Sequence, residues 1–312
     1  MSRHHYIPVF YLKRWAAPDG RIVEFSRPFG TRVRPRRTAP AGTGYVDNLY
    51  EARGLPADHR QYFETEFLSP VDNAAADALA ILESGRDTWN VRTRSAWSRF
   101  ILSLLIRAPL EIDAIKANFR NMLLLHQEPT LDERYLAIRR PTDPATLQEF
   151  VASQDDLSIE FHALSFFARL HNMVQAGQTL NNMQWYVLPT EDGQRLLTSD
   201  APVEMGGLRQ ENAVVALPIG PNRLFIAVHV YERYLALANF DRKELVRRVN
   251  QQTLERATKY AFGKDDSSLS FVQRHLSKSP RTSMFMRTFD RVVAEQAQQG
   301  NANPRELSQI TP

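Results

Sequence analysis

Near the start of the chain His4 and His5 stand side by side, followed by Tyr6, Pro8 and Tyr11-Leu12. Imidazole exchanges a proton near neutral pH, and a phenol beside it donates or accepts a hydrogen bond. The segment therefore carries the groups of general acid–base chemistry. Neighbouring residues leave a regular backbone in different directions, so at most one of the two histidines faces a given pocket. We take His5 with Tyr6 as the catalytic candidates. The ordinary alternative is a histidine held by a backbone carbonyl and a second one in water. A second polar group, Thr198-Ser199-Asp200-Ala201-Pro202, falls where a strand ends. Pro202 biases Ala201 away from helix and so fixes Asp200, whose carboxylate either caps the turn or acts as base or metal ligand. Arg107 is the third candidate. It lies beside the apolar face of a helix, where a guanidinium requires either a carboxylate partner or an anionic ligand.

These groups must be positioned by elements that the residue pattern outlines. Pro8 to Ala16 reads as a short helix ended by Pro18-Asp19-Gly20, and Arg21 to Ser26 as a strand. Pro28 to Gly44 is rich in Arg, Pro, Thr and Gly and reads as a loop, with Gly44 to Tyr50 extended after it. Asp72 to Leu82 is helical. A long helix capped by Thr93 or Ser95 carries Trp97, Ile101, Leu104 and Leu105 on one face, kinks at Pro109 and resumes from Leu110 to His126. Another helix covers Leu157 to Val174. After Gly177 the period shortens to that of strands, at Gln184 to Leu188, Gln194 to Thr198, Ala213 to Leu217 and Arg223 to Val230, an antiparallel meander. Helix returns from Tyr231 to about Phe262, with a break near Asn239 to Asp241.

Composition narrows the functions. The chain has 312 residues, no cysteine and a net charge of +4. Disulfides, thiolate metal sites and a cysteine nucleophile are excluded. No apolar run approaches the roughly 20 residues of a membrane span, and no secretory h-region opens the chain, so the cytoplasm is the expected compartment. Residues 1–60 hold 11 Lys and Arg against five acids. The positive field thus coincides with the histidines and points to an anionic partner, with Lys13, Arg32, Arg34, Arg36 and Arg37 as candidate nucleic-acid contacts. His162, His171 and His229 lie on apolar faces, as core histidines do. There is no zinc spacing, nucleophile elbow, phosphate loop or dinucleotide fingerprint, so no nucleotide cofactor is expected. Mg2+ or Mn2+ held by oxygen ligands stays open.

At these motifs the chain resembles a family of bacterial and fungal proteins, domain-of-unknown-function family 4238. The resemblance runs from residue 4 to about 260. It rests on His5, Tyr6, Pro8, Tyr11 and Leu12, on Asn48-Leu49-Tyr50, on Arg107 and Pro109, on Thr198-Ser199-Asp200 with Pro202, and on Leu217-Pro218. The family's acidic helix start corresponds to Glu64 or Glu66 with Asp72. The resemblance implies no reaction, but it implies that His5, Arg107 and Asp200 share one polar site, with Glu66, Asp72 and Ser199 as further members.

The expected fold is α+β, a mostly helical body with a small antiparallel β-sheet. A single domain spans 1–295, made of a basic segment 1–60, a helical region 61–176, a meander 183–230 and helices 231–295, with a disordered tail 296–312. The expected function is hydrolysis of nucleic acid, RNA before DNA, in a toxin or defence effector. In that reading His5 is general acid or base, Arg107 steadies a phosphate, and Asp200 orients His5 or holds a cation. The alternatives are a non-catalytic nucleic-acid-binding module using the basic segment, with Tyr45 and Tyr50 stacking bases, and a scaffold acting through a protein partner.

Overall fold

Helical periodicity and short extended runs alternate along the chain as an α+β fold of many helices and small antiparallel sheets. The computed structural model describes residues 2–53, 55–84, 89–124, 129–170, 174–191, 193–279 and 281–300. In chain order the elements are β1 (Arg3–His5), α1 (Val9–Leu12), β2 (Ile22–Ser26), β3 (Arg34–Thr38), β4 (Tyr45–Asp47), α2 (Ser69–Ser84), α3 (Val91–Ile106), α4 (Pro109–Leu124), α5 (Pro129–Ile138), α6 (Leu147–Ser153), α7 (Asp156–Leu170), α8 (Val174–Asn182), β5 (Gln184–Pro189), β6 (Thr198–Ser199), β7 (Glu204–Met205), β8 (Val214–Gly220), β9 (Arg223–Val228), α9 (Tyr231–Ala238), α10 (Arg242–Arg256), β10 (Ala261–Gly263), α11 (Leu269–His275) and α12 (Met284–Gly300). The chain divides into two compact units, one of Met1–Glu51, Gln61–Pro109 and Ala168–Arg281, the other of Ala52–Arg60, Leu110–Phe167 and Thr282–Pro312.

The first unit holds the sheets, ordered β1-β4, β3-β2-β10-β6 and β5-β9-β8-β7, every pairing antiparallel. Three readings of the sequence are corrected here. The Arg- and Pro-rich stretch taken as loop contains β3, an edge strand registered on β2 with Glu24 opposite Arg36. Proline and exposed charge are what edge strands tolerate, so its composition resembles that of a loop. The run 183–230 contributes to two sheets, because β6 leaves the meander to pair with β10. Finally, Ala261–Gly263 is strand β10 between β2 and β6, not the end of a helix.

α3 starts at the cap Asn90, whose side chain accepts the Thr93 amide, rather than at Thr93 or Ser95. It stops at Ile106, and Pro109 opens α4 in place of kinking one helix, the N1 position where its missing N–H costs nothing. The expected end of that helix, His126, lies outside the described residues. Trp97, Phe100, Ile101 and Leu104 are buried at helical spacing. The N-terminal segment is pinned to the sheets: Tyr11 donates its hydroxyl to Pro218 O at 2.7 Å and Trp15 its indole N–H to Leu196 O at 2.8 Å. Gly44 lies at φ 66°, and a Cβ there would come within 3.1 Å of Ile7 Cβ; its carbonyl accepts the amides of Tyr6 and Ile7. In the second unit Ile112, Ile115, Phe119, Ile159, Ala163, Leu164 and Phe167 are buried. There Glu111 accepts Ser283 Oγ and the amides of Met284 and Phe285, capping α12. The expected tail starts inside α12, which runs to Gly300; residues 301–312 lie outside the described residues.

Trp97, fully buried, has no hydrogen-bond partner for its indole N–H among the described residues. Trp15→Phe is therefore expected to cost about 1–2 kcal/mol more than Trp97→Phe in urea unfolding, since only the former strands a carbonyl. Equal losses would mean that the Trp15–Leu196 bond contributes nothing.

Candidate functional site

Alternation along β1 sends His4 and His5 to opposite faces. The His4 ring is fully buried and stacked on Tyr50 at 5.4 Å; its Nδ1 accepts the Tyr50 amide and its Nε2 meets Gln61 Oε1. Because an amide N–H fills Nδ1, Nε2 carries the proton and His4 is a neutral, structural histidine. His5 is half-buried, with Nε2 3.3 Å from Ala41 O. A carbonyl only accepts, so Nε2 donates and Nδ1 is the basic atom. Burial lowers the pKa of His5 below its ordinary value, with the charges of Arg107 and Arg3 acting in the same direction.

Arg107, at the end of α3, is fully buried. Its Nε donates to Tyr6 O at 2.8 Å, Nη1 to Asp72 Oδ1 at 2.8 Å and Ser103 Oγ at 3.4 Å, and Nη2 to Asp72 Oδ2 at 3.2 Å and His5 O at 3.5 Å. All of its donors have protein acceptors. The guanidinium therefore fixes the backbone of His5 and Tyr6 against α2 and is not offered to a ligand. Tyr50 donates its hydroxyl to Arg107 O at 2.6 Å, which ties the Asn48-Leu49-Tyr50 motif to the same group. Asn48 itself, at φ 59°, receives the Ser2 amide on its side chain.

Sequence alone left the acidic partner open between Glu64 and Glu66. Glu66 is exposed, whereas Glu64 keeps one carboxylate oxygen buried with no hydrogen-bond partner among the described residues. Burial pushes Glu64 up to about 7, Arg107 pulling it down and Asp72 adding to the rise. The local cause is Pro70. It cannot donate to the carbonyl one turn back and its ring crowds that carbonyl, so the helix widens into one π-helical turn, Glu64–Leu68, before α2. At about 100° per residue, eight positions of plain α-helix would leave Glu64 some 80° away from Asp72; one inserted residue cuts this to about 20°. Pro70 six residues after Glu64 was the signal in the sequence.

Asp200 is held by the segment that follows α10. Its Oδ1 accepts the Thr258 amide at 2.7 Å, and its Oδ2 accepts those of Lys259 at 2.7 Å and Tyr260 at 2.9 Å. Burial pushes it up to about 6 against those three amides. It faces the Tyr6 hydroxyl electrostatically, raising the phenol's pKa after burial has done so, while the charges that act on His5 are Arg107, Arg3 and Asp72. The carboxylate thus caps the Thr258–Tyr260 segment and not its own Asp200-Ala201-Pro202 turn, the one weighed from the sequence. Thr198 and Ser199 are buried, Thr198 on the Tyr11 hydroxyl and Ser199 accepting the Ala201 amide. The structure thus gathers His5, Glu64, Asp72 and Arg107 around one ion pair, while Asp200 is tied to the Thr258–Tyr260 segment and acts by its charge on Tyr6.

Of the basic candidates, Lys13, Arg32, Arg34, Arg36 and Arg37 are all exposed. Arg36 forks onto Glu24, whose carboxylate also takes the Thr43 hydroxyl, and Arg37 pairs with Asp19. His229 is held by Leu208 O at 2.8 Å, and His171 lies outside the described residues. Among the described residues no three His, Asp or Glu side chains group so as to hold a metal ion, and no helix is long and apolar enough to cross a membrane.

Two raised carboxyls give a pH signature. A folded pKa above the unfolded one means that the native state binds more protons, so its contribution is full at low pH and is lost as pH rises through the folded value. Stability is expected to fall from about pH 4, where the unfolded carboxyls ionise, to about pH 7, with Asp200 completing its share at about 6 and Glu64 at about 7. Glu64→Gln is expected to remove the upper part and raise stability at pH 8 by about 1–2 kcal/mol, after allowance for partial exposure. Urea unfolding across that range checks it; an unchanged slope in the variant would place Glu64 in ordinary solvent.

No curated protein and no solved structure matches the chain. Residues 3–267, however, match the profile of the family described as a protein of unknown function, DUF4238, a span that takes in His5, Arg107 and Asp200. The chain belongs to the DUF4238 family.

Proposed function

We propose that this protein is a hydrolase in which His5 takes a proton from the attacking water and Glu64 gives one to the leaving oxygen, with a phosphodiester, RNA before DNA, as its substrate. The observation that carries the reading is the buried carboxylate oxygen of Glu64, without a hydrogen-bond partner among the described residues, near the Arg107–Asp72 pair whose charges also act on His5. Glu64, with a buried oxygen, is pushed to about 7, while His5 is pushed below its ordinary value, and both feel Arg107 and Asp72. At neutral pH the carboxyl can keep a proton to donate, and the imidazole can be neutral to accept one at Nδ1. Environments that favour the protonated acid and the neutral base are how one fold performs both halves of an acid–base reaction. Arg107 acts in this reading as a positioning residue. The anionic substrate is favoured by the exposed arginines of β3 and the turn before it, where Arg32 and Arg34 add to Arg36 and Arg37.

The test is incubation of the purified protein with total RNA and with DNA, in Mg2+, Mn2+ or chelator, beside His5→Ala and Glu64→Gln. Cleavage by the parent protein that falls about 10²–10⁴-fold in each variant, at unchanged Tm, is expected. Full cleavage in either variant would sink the assignment. A second reading, a nucleic-acid-binding module, rests on the same exposed arginines. It is favoured if there is no product but binding weakens with salt and with Arg32→Ala plus Arg34→Ala.

A further inference from the structure

The turn between β2 and β3 presents Phe29, at 87% the most exposed large apolar side chain among the described residues. Such exposure is unremarkable on a loose turn, but this turn is clamped. Arg27 donates from Nε to Thr31 O at 2.9 Å, from Nη1 to Leu276 O and Ser277 O at 2.9 Å each, and from Nη2 to Gln273 O at 3.2 Å. Gln273, on α11, fastens the other limb: its Oε1 accepts the Val33 amide at 2.7 Å and its Nε2 donates to Thr31 O at 3.1 Å. Gly30, at φ 63°, supplies the left-handed step at the tip. Phe29 is therefore held out from the protein on a fixed support, with almost no wall beside its ring. The charge around it has one sign. Residues 25–46 contain no Asp or Glu. Arg36 and Arg37 reach Glu24 and Asp19, but Arg32 and Arg34, nearest the tip, are exposed and have no ion pair among the described residues. Arg274 and Lys278, at the end of α11 that Arg27 grips, are exposed as well, with Glu255, 3.8 Å from His275, the carboxylate set against them.

We propose that this tip anchors the protein to the surface of an anionic lipid bilayer, Phe29 entering the boundary between headgroups and acyl chains while Arg32 and Arg34 bind the headgroups. Shape decides between the two anionic partners that arginine suits. A nucleobase stacks on an aromatic platform set in a basic groove, whereas a bilayer closes around an apolar prong from every side and asks for no groove. Charge selects the lipid, because cations beside the prong gain from a negative membrane surface and gain nothing from a neutral one. The clamp of Arg27 and Gln273 adds to the affinity, since the turn is ordered before it meets the membrane. No spanning segment is involved, and the anchor does not depend on the acid–base reading of His5 and Glu64.

The test is co-sedimentation of the full chain with vesicles of phosphatidylcholine containing roughly one third phosphatidylserine, beside vesicles of phosphatidylcholine alone. Binding at least about tenfold tighter to the anionic vesicles, and weakened by added salt, is expected. Phe29→Ser is expected to weaken it about tenfold, and Arg32→Ala plus Arg34→Ala about tenfold or more, both at unchanged Tm because the side chains are exposed. Phe29→Trp places a reporter at the tip, and its emission should move to the blue on anionic vesicles beyond any change in the parent protein. The proposal is overturned if the parent does not sediment with anionic vesicles, if neutral vesicles bind it as well, if Phe29→Ser binds like the parent, or if the Phe29→Trp emission stays in place. It is overturned too if a single-stranded RNA oligomer binds in a way that Phe29→Ser weakens while the vesicles stay unbound, since the tip then belongs to nucleic acid. The two vesicle types are compared on the parent protein, so that result decides even if a variant does not fold.

Discussion

Asp72→Ala is expected to destabilise the protein by about 3–5 kcal/mol, a loss large enough to threaten folding at physiological temperature. Arg107 is fully buried while the Asp72 side chain is 21% exposed, so the variant leaves a charged guanidinium without its counter-ion away from water. The remaining acceptors, Tyr6 O, His5 O and Ser103 Oγ, are neutral. Adding Arg107→Met to Asp72→Ala is expected to recover part of the loss, because an apolar replacement removes the stranded charge. Recovery should stop about 1–3 kcal/mol short of the parent, since Tyr6 O then loses its donor. Urea unfolding of the two single variants and the double variant measures this as a coupling energy. A loss below about 1 kcal/mol in Asp72→Ala would show that water reaches Arg107 and would take away its positioning role.

Asp200→Ala is expected to cost about 3–4 kcal/mol for a different reason. No charge is stranded, but three backbone amides lose their acceptor together. The amides lie in the segment that joins α10 to β10, so the pairing of β10 with β2 and β6 loosens with them. Asp200→Asn is not a mild replacement, because its NH2 would point a donor at a donor. Hydrogen exchange of residues 258–263 reads the effect locally. If exchange there is unchanged in Asp200→Ala, the carboxylate is not what holds the segment. Retention of the parent's melting temperature would sink the prediction as well.

Much of this is legible in the order and types of the residues. The α+β class follows from the change of period after Gly177, and the motifs single out His5, Arg107 and Asp200. Their division of labour does not. A carboxylate after a strand looks the same in sequence whether it meets a ligand or three amides sixty residues on, and which it meets depends on tertiary pairing. Arg107 is recognisable as a guanidinium requiring a partner, but the partner's identity depends on a π-helical turn that shifts Glu64 and Asp72 into line. β3 and β10 escape a reading of pattern because one is an edge strand with the composition of a loop, and the other is three residues attached to a helical run. Glu111 escapes it because its partners, Ser283 to Phe285, lie far along the chain.

β2 sits between β3, its neighbour in sequence, and β10, which is made near the other end of the chain. Tyr11 likewise waits for a carbonyl 207 positions further on. During synthesis, then, the N-terminal segment leaves the ribosome long before its partners exist. Phe25 and the free edge of β2 must stay uncovered while the helical middle is translated. A nascent chain of this kind invites chaperone binding, and one that stops before Ala261 keeps an open strand edge for good. Production at low temperature or with added holdase chaperones should therefore raise soluble yield, and C-terminal truncations short of β10 should not.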